Sequence, residues 1–415
     1  MACRSLKEIL TGSELDHILK ESKPGCELVD YDIQPAAQGL IGFLGDHLKV
    51  ALGVERKESR EKIQLFIKTV PMYNKPKADF IKENCFYKKE ALIYKIIDEM
   101  DETDGNNRWS PKSLIHNDRV LAMLDLSVDG YKSLPVLEYF DRKHVLVGTS
   151  AIARFHAAYA NYVTKKSTEL LEYNIMDDYQ LLTTESVFKK CPILYAAAKL
   201  SSTFIKEFLK VSDVYPNNLE ETVYDVFVKG SESLRERPDT LNVLLHRDLW
   251  TNNIMFKYSG EVPIRAILVD YQCVRYGPPA FDLMIFLYLT TSRSFRDLYE
   301  KEVFNHYFTV FTNNLNEPTR KRLQKYNYDL EAFLNLCEEA RQFALVEALT
   351  IFPFVLMDPN TAQVTFDDPT TFTDLIEGDR SAPVMALARR SIQYRKWQLE
   401  VCEEFVKQYV NLKDT

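Results

Sequence analysis

The stretch LLHRDLWTNNIMF at 244–256, followed by AILVDYQ at 266–272, constrains the fold more than any other part of the chain. His246, Arg247 and Asp248 come directly after an apolar run. Asn253 lies five residues beyond Asp248, and Asp270 closes the next apolar run. A carboxylate at the end of a buried strand needs a cation, because an unpaired buried charge is costly. Phosphoryl transfer from ATP calls for such a set: one carboxylate beside the acceptor hydroxyl and two oxygen ligands that hold Mg²⁺ on the phosphates. Asp248 suits the first role, and Asn253 with Asp270 suits the second.

The chain ahead of this loop offers an independent check. In KIQLFIKTV (62–70), Ile63, Leu65 and Ile67 alternate onto one face and Lys68 points to the other. A strand lysine of this kind binds the α- and β-phosphates as a point charge. In FYKKEALIYKII (86–97), Phe86, Glu90, Ile93, Tyr94 and Ile97 share one helical face. Glu90 is thus a carboxylate inside an apolar stripe. Taken singly, Lys68 and Glu90 read as surface charges; together they read as a pair. Gly39, Gly42 and Gly45 in GLIGFLG are three of only 13 glycines, and a turn there would cover the phosphates. Their spacing is GxxGxxG rather than GxGxxG, and a bulged hairpin accounts for it nearly as well. Val136, Leu137 and Glu138 are placed to form a connector whose backbone hydrogen-bonds adenine; an ordinary edge strand explains them equally.

The layout agrees with two lobes. Residues 1–20 carry apolar residues at helical spacing, and Cys26–Val70 reads as a β-hairpin followed by another strand. A helix is expected over Phe80–Met100, an exposed loop over 101–113, and strands at Arg119–Leu126 and Leu134–Tyr139. Beyond Asp141 the patterns turn helical, near 147–163, 195–210, 218–235, 297–312, 330–357 and 384–412, interrupted by the apolar runs 242–246 and 265–270. The expectation is an α+β bilobal protein: a β-rich N-terminal lobe over 1–135, a hinge at 136–141, and a helical C-terminal lobe over 142–415 carrying the catalytic loop.

Composition removes competing classes. A net charge of −8 argues against a nucleic-acid partner. The seven cysteines are odd in number and lack any CxxC pair, which suits a reducing, cytoplasmic setting. The N-terminus has no apolar signal segment. The longest apolar run, Phe343–Met357, is interrupted by Glu347 and Pro353, so no membrane insertion is expected. No HExxH or GxSxG motif competes, and no obligate protein partner is evident.

At these motifs the sequence resembles the ecdysteroid kinase-like family of arthropods, within the wider protein-kinase-like group that includes choline and aminoglycoside kinases. The likeness rests on FIKTVP (66–71), FYKKEALIY (86–94), VLEYF (136–140), FHAAY (155–159), HRDLWTNNIMFKY (246–258) and VDYQCVRYGPPAFDL (269–283). It implies an ATP- and Mg²⁺-dependent kinase acting on a hydroxyl of a steroid or xenobiotic alcohol. Asp248 would be the base, Asn253 and Asp270 the metal ligands, and Lys68 with Glu90 the phosphate-binding pair. His246 and Asp282 would brace the loop. Gln272 stands where protein kinases carry Gly, and Asn252 lies beside Asn253, so spacing alone selects the ligand. Asp282 lies only twelve positions after Asp270, without an APE sequence between, which leaves little room for a peptide platform and favours a small acceptor. Arg247 is expected in a salt bridge within the lobe, and His156 as a satisfied core residue. Trp250 and Tyr276 flank the site, as pocket lining or as core. Two alternatives remain: a choline- or ethanolamine-type kinase, and an inactive pseudokinase that binds steroids.

Overall fold

The computed structural model describes residues 5–36, 42–57, 59–100, 108–209 and 218–410. Two short helices, α1 (Leu6–Ile9) and α2 (Gly12–Ser22), open with capping boxes formed by Ser5 with Glu8 and Thr11 with Glu14. They lay Leu6, Ile9 and Ile18 against an antiparallel sheet. Its strands are β1 (Glu27–Pro35), β2 (Asp46–Arg56), β3 (Ser59–Thr69), β4 (Ser113–His116) and β5 (Val120–Leu124), in the order β1-β2-β3-β5-β4. Leu48, Val50, Leu52 and Val54 of β2 join Ile63, Leu65 and Ile67 of β3 in one apolar cluster, as the two-residue period of a strand requires. The same period turns Lys68, opposite His47 in the register, to the other face.

Three expectations for this region change. The helix foreseen over Phe80–Met100 is two, α3 (Lys75–Glu83) and α4 (Phe86–Met100). The break falls where Asn84 caps α3 and Cys85 takes a left-handed φ of 57°. The described part of the loop at 101–113 is largely buried, with Lys112 exposed: Trp109 and Ser110 are buried, and the Leu268 N–H donates to the Trp109 carbonyl at 2.8 Å. Averaged polarity hid one tryptophan large enough to bury the segment. No strand forms over Leu134–Tyr139. The Glu138 N–H closes a turn on the Pro135 carbonyl at 3.0 Å, and Tyr139 stacks on Trp397 with ring centroids 3.8 Å apart.

The second part of the chain carries β6 (Tyr131–Lys132), β7 (Val243–Leu245), β8 (Ile254–Ser259), β9 (Val262–Leu268) and β10 (Arg275–Gly277). β6, β8 and β9 form one small sheet, and β7 pairs with β10. The rest is helical. Every residue of helix Ala280–Thr290 is buried, between α5 (Arg142–Lys166) and helix Leu330–Val355. The helix expected over 384–412 is broken at Ser391 into Ser381–Arg390 and Ile392–Tyr409. The apolar face of α4 belongs to the same core cluster as these helices, so α4 ties the sheet to the helical part. Among the described residues no single helix is long and apolar enough to cross a membrane.

Candidate active site

β7 delivers the loop that begins at His246, and a buried carboxylate holds it. Asp282, on the first turn of helix Ala280–Thr290, accepts the His246 N–H at 2.6 Å through Oδ2 and the Arg247 N–H at 2.9 Å through Oδ1. Its Oδ2 also lies 3.1 Å from Nε2 of His156, whose Nδ1 meets the Tyr307 hydroxyl at 2.6 Å. His156 is therefore a bonded core residue that reinforces the brace. Burial lowers the pKa of His246. The neutral ring donates from Nε2 to the Val269 carbonyl (2.9 Å) and accepts the Asp248 N–H at Nδ1 (3.3 Å). One imidazole thus links the residue before Asp270 to Asp248. Arg247 has φ 71° and Asp270 φ 67°, so both carboxylate-bearing loops hold a left-handed residue.

Arg247 points into the core, where it bonds Glu347 at 2.5 Å and lies over Phe343 and Phe188. This leaves Asp248 facing the cleft. Burial raises the Asp248 carboxyl, and the nearby Asp270 raises it further, to about 7. Asn253 Nδ2 donates to Asp248 Oδ2 at 2.9 Å and to its carbonyl at 2.8 Å, so its amide oxygen is the group left for another ligand.

Lys68 reaches Glu90 at 2.8 Å, Asp270 at 2.6 Å and Gln272 at 3.1 Å. Burial disfavours its ammonium, but the carboxylates of Asp270 and Glu90 outweigh that and hold its pKa above the usual lysine value. Burial also raises the Glu90 pKa, against the pull of Lys68. Gly45 permits this packing. A methyl group there would lie 2.5 Å from the Tyr87 hydroxyl and 3.0 Å from Cγ of Lys68. Gly42 lies on the same segment, and Gly39 lies outside the described residues.

Two clefts, of about 1000 and 1030 Å³, share Asp270 and Gly42. The first is polar, lined by His47, Lys68, Glu90, Asn252, Asn253 and, at its back, Met123–Ser127. The second holds Asp248 among Phe43, Trp250, Phe354 and Phe366. Phe43 comes from the glycine segment and packs on Phe366 (4.8 Å) and Trp250 (5.9 Å), which roofs the second cleft.

Asp248, His246, Asn253, Lys68, Glu90 and Asp270, far apart in sequence, are thus gathered around one junction. Glu138 is not. It is exposed, and the neighbouring Leu137 carbonyl accepts Gln393 Nε2 at 3.3 Å, so the C-terminal helix holds this turn away from the clefts. Met123–Ser127, and not Val136–Glu138, lines the polar cleft. The signal available was LDLSVDG directly after a strand, where a turn follows a buried run. Tyr276 packs against Tyr159 rather than lining either cleft. The sequence reading also missed Phe43, although it lies inside GLIGFLG, and His47 and Arg380, which no local motif marks.

A sequence model of the ecdysteroid kinase-like family matches residues 42–318. The chain belongs to this family. A curated relative from Caenorhabditis elegans, described as an uncharacterized kinase-like protein, is 27% identical over 201 residues, 47% of each chain. The match thus spans about half the length of that relative. Among solved structures, an ethanolamine kinase of Plasmodium vivax superposes with a TM-score of 0.39 at 12% identity, over 94% of this chain and 86% of that one. The GDP complex of an aminoglycoside 2'-phosphotransferase superposes with a TM-score of 0.36 at 10% identity, over 95% and 98%.

Proposed function

We propose that this protein transfers the γ-phosphate of ATP to a hydroxyl of an ecdysteroid or a similar steroid or xenobiotic alcohol. The observation that carries this reading is the junction of a polar cleft and an aromatic cleft at Asp270, with Lys68 on one side and Asp248 on the other. Adenine would lie against the backbone of Met123–Ser127, and Lys68 would bind the α- and β-phosphates while Glu90 holds it in place. Asp248, with a pKa of about 7, is suited to accept the proton of the acceptor hydroxyl near neutrality. Asn253 positions that carboxylate.

The donor set also fits Mg²⁺. Asp270 and the free amide oxygen of Asn253 are hard oxygen ligands in one cleft, and the charge that Asp270 imposes on Asp248 calls for a cation between phosphates and protein. Mg²⁺ held there would offset the charge of the phosphates. The two lobes, taken as 1–135 and 142–415 about a hinge, would close on the nucleotide, and most of the rate would come from positioning. The six described cysteines form no disulfide, which supports a cytoplasmic setting. A phosphate of about −2 charge would make an apolar alcohol soluble and membrane-impermeant, which fits hormone inactivation or detoxication.

The test is mass spectrometry of ecdysteroids, plant sterol and phenolic glycosides, choline and ethanolamine after incubation with protein and Mg²⁺–ATP, beside the Asp248→Asn variant. A phosphate-mass gain on the apolar alcohols, absent with the variant, supports the proposal. A gain on choline or ethanolamine alone overturns the substrate class. No gain, together with no Mg²⁺–ATP binding, leaves the pseudokinase.

A further inference from the structure

Arg380 stands at the start of helix Ser381–Arg390, and its side chain is 1% exposed on the wall of the aromatic cleft, beside Phe354, Phe366 and Ile376. Nη2 donates to the carbonyls of Ile376 (2.5 Å) and Ile193 (3.2 Å), and the guanidinium lies over the Phe354 ring, 4.9 Å from its centroid. Nε and Nη1 find no acceptor among the described residues. A guanidinium has five N–H donors, so the ones on Nε and Nη1 are left without partners in an apolar wall.

The other deeply buried cations differ. Lys68 has Glu90 and Asp270, Arg247 has Glu347 at 2.5 Å, and Arg296 has Glu404 at 2.8 Å. Lys77 has Asp367 at 3.3 Å, Arg275 has Glu185 at 3.1 Å, and Lys89 feels the charge of Glu185 while bonding the Thr184 carbonyl at 2.6 Å. Arg380 has two carbonyls and a ring, and burial lowers its pKa to about 9, which still leaves it charged at neutral pH. A buried charge without a counter-ion is strongly unfavourable, and a bound oxyanion relieves it through charge-assisted hydrogen bonds.

We infer that Arg380 receives an oxyanion on the acceptor, so that the preferred substrates are hydroxylated apolar molecules carrying a carboxylate or sulfate. This rests on the reading that the aromatic cleft takes the acceptor.

The test measures binding by calorimetry, without nucleotide, of cholic acid, its methyl ester and a hydroxysteroid sulfate. Wild-type protein is expected to bind the acid at least tenfold tighter than the ester; the sulfate separates a carboxylate preference from a general anion preference. Arg380→Gln should abolish the acid-to-ester ratio while leaving ATP affinity unchanged, and Arg380→Lys should keep part of it. Equal affinities for acid and ester in the wild type, no binding of either anion, or an unchanged ratio in Arg380→Gln would overturn the inference. Should Arg380→Gln fail to fold, the wild-type ratio and the Arg380→Lys ratio decide. Phosphate transfer to neutral alcohols without acid preference sinks this inference and leaves the kinase reading. Arg380-dependent acid binding with no transfer to any alcohol does the reverse.

Discussion

The two clefts share Asp270 and Gly42 yet are built by opposite means. In the polar cleft the groups that matter sit on strands or at their ends: Lys68 on β3, Asn253 just before β8, Asp270 just after β9. Their charges are matched there, Lys68 against Glu90 and Asp270. The aromatic cleft gathers Phe43, Phe188, Trp250, Phe354 and Arg380 from five separated segments, and Arg380 is left unmatched. Phosphate chemistry is common to every reaction of this type, so local spacing can encode it. The shape and charge of the aromatic cleft's wall are assembled only by long-range packing.

The largest expected effect lies at the junction. Asp248→Asn should lower phosphate transfer by ~10³-fold with ATP binding retained, since general-base groups contribute on the order of 10²–10⁴; steady-state kinetics and nucleotide titration check it. The same variant should be more stable than the wild type at pH 8, with the advantage shrinking as pH falls and vanishing only below the ordinary carboxyl value, at pH ~3.5. The folded pKa of Asp248 is raised to about 7, so its proton stabilises the folded state and is lost as pH rises through that value. Thermal melts at the two pH values read the difference.

Next comes Lys68→Met, which leaves Glu90 and Asp270 without their cation. A loss of ~3 kcal/mol is expected, as for breaking other buried pairs. Urea unfolding should show Glu90→Leu added to Lys68→Met recovering part of it. If the two variants were additive, the polar cleft would not be the charge-matched region described above.

The pH profile of kcat/KM should fall about tenfold per unit below the pKa of Asp248. Excess Mg²⁺ should move that midpoint downward, because the Asp270 charge helps to raise it. A smaller effect is expected in the aromatic cleft. Phe43→Ala should raise KM for the acceptor about tenfold, the scale of ~1–3 kcal/mol for a trimmed apolar contact, with KM for ATP changed little. A parallel rise in both constants would merge the two clefts into one functional unit. Smallest of all, Glu138→Ala should change stability by under ~0.5 kcal/mol and leave both KM values unaltered, as for an exposed turn residue.

Much of the site was legible because its residues violate local expectation. Lys68 is a cation on the face of β3 opposite its apolar alternation, Glu90 interrupts the apolar face of α4, and Asp270 ends an apolar run. Each is an ionisable group where burial forbids a lone charge, and one structure satisfies all three by pairing them. The turn at Val136–Glu138 was hidden for the complementary reason. Val136, Leu137 and Tyr139 are apolar and strand-like, but the surface that buries them is the C-terminal helix carrying Gln393 and Trp397. Nothing near residue 136 reports the presence of a helix more than 250 positions away. The Cys85 break and the burial of Trp109 were hidden likewise, since helical periodicity and average polarity run through both segments unchanged.

By itself the sequence determined the two-part layout, the loop from His246 to Asn253 and the identity of its charged partners, because strand alternation, helix periodicity and the cost of an unpaired buried charge all act over a few residues. Only the tertiary structure decided that Met123–Ser127 lines the polar cleft, that Phe43 packs on Trp250, and that Arg380 lines the aromatic cleft with no carboxylate partner among the described residues. Those outcomes depend on which distant surfaces meet. Side-chain packing between segments hundreds of residues apart leaves no period and no fixed spacing in the chain that encodes it.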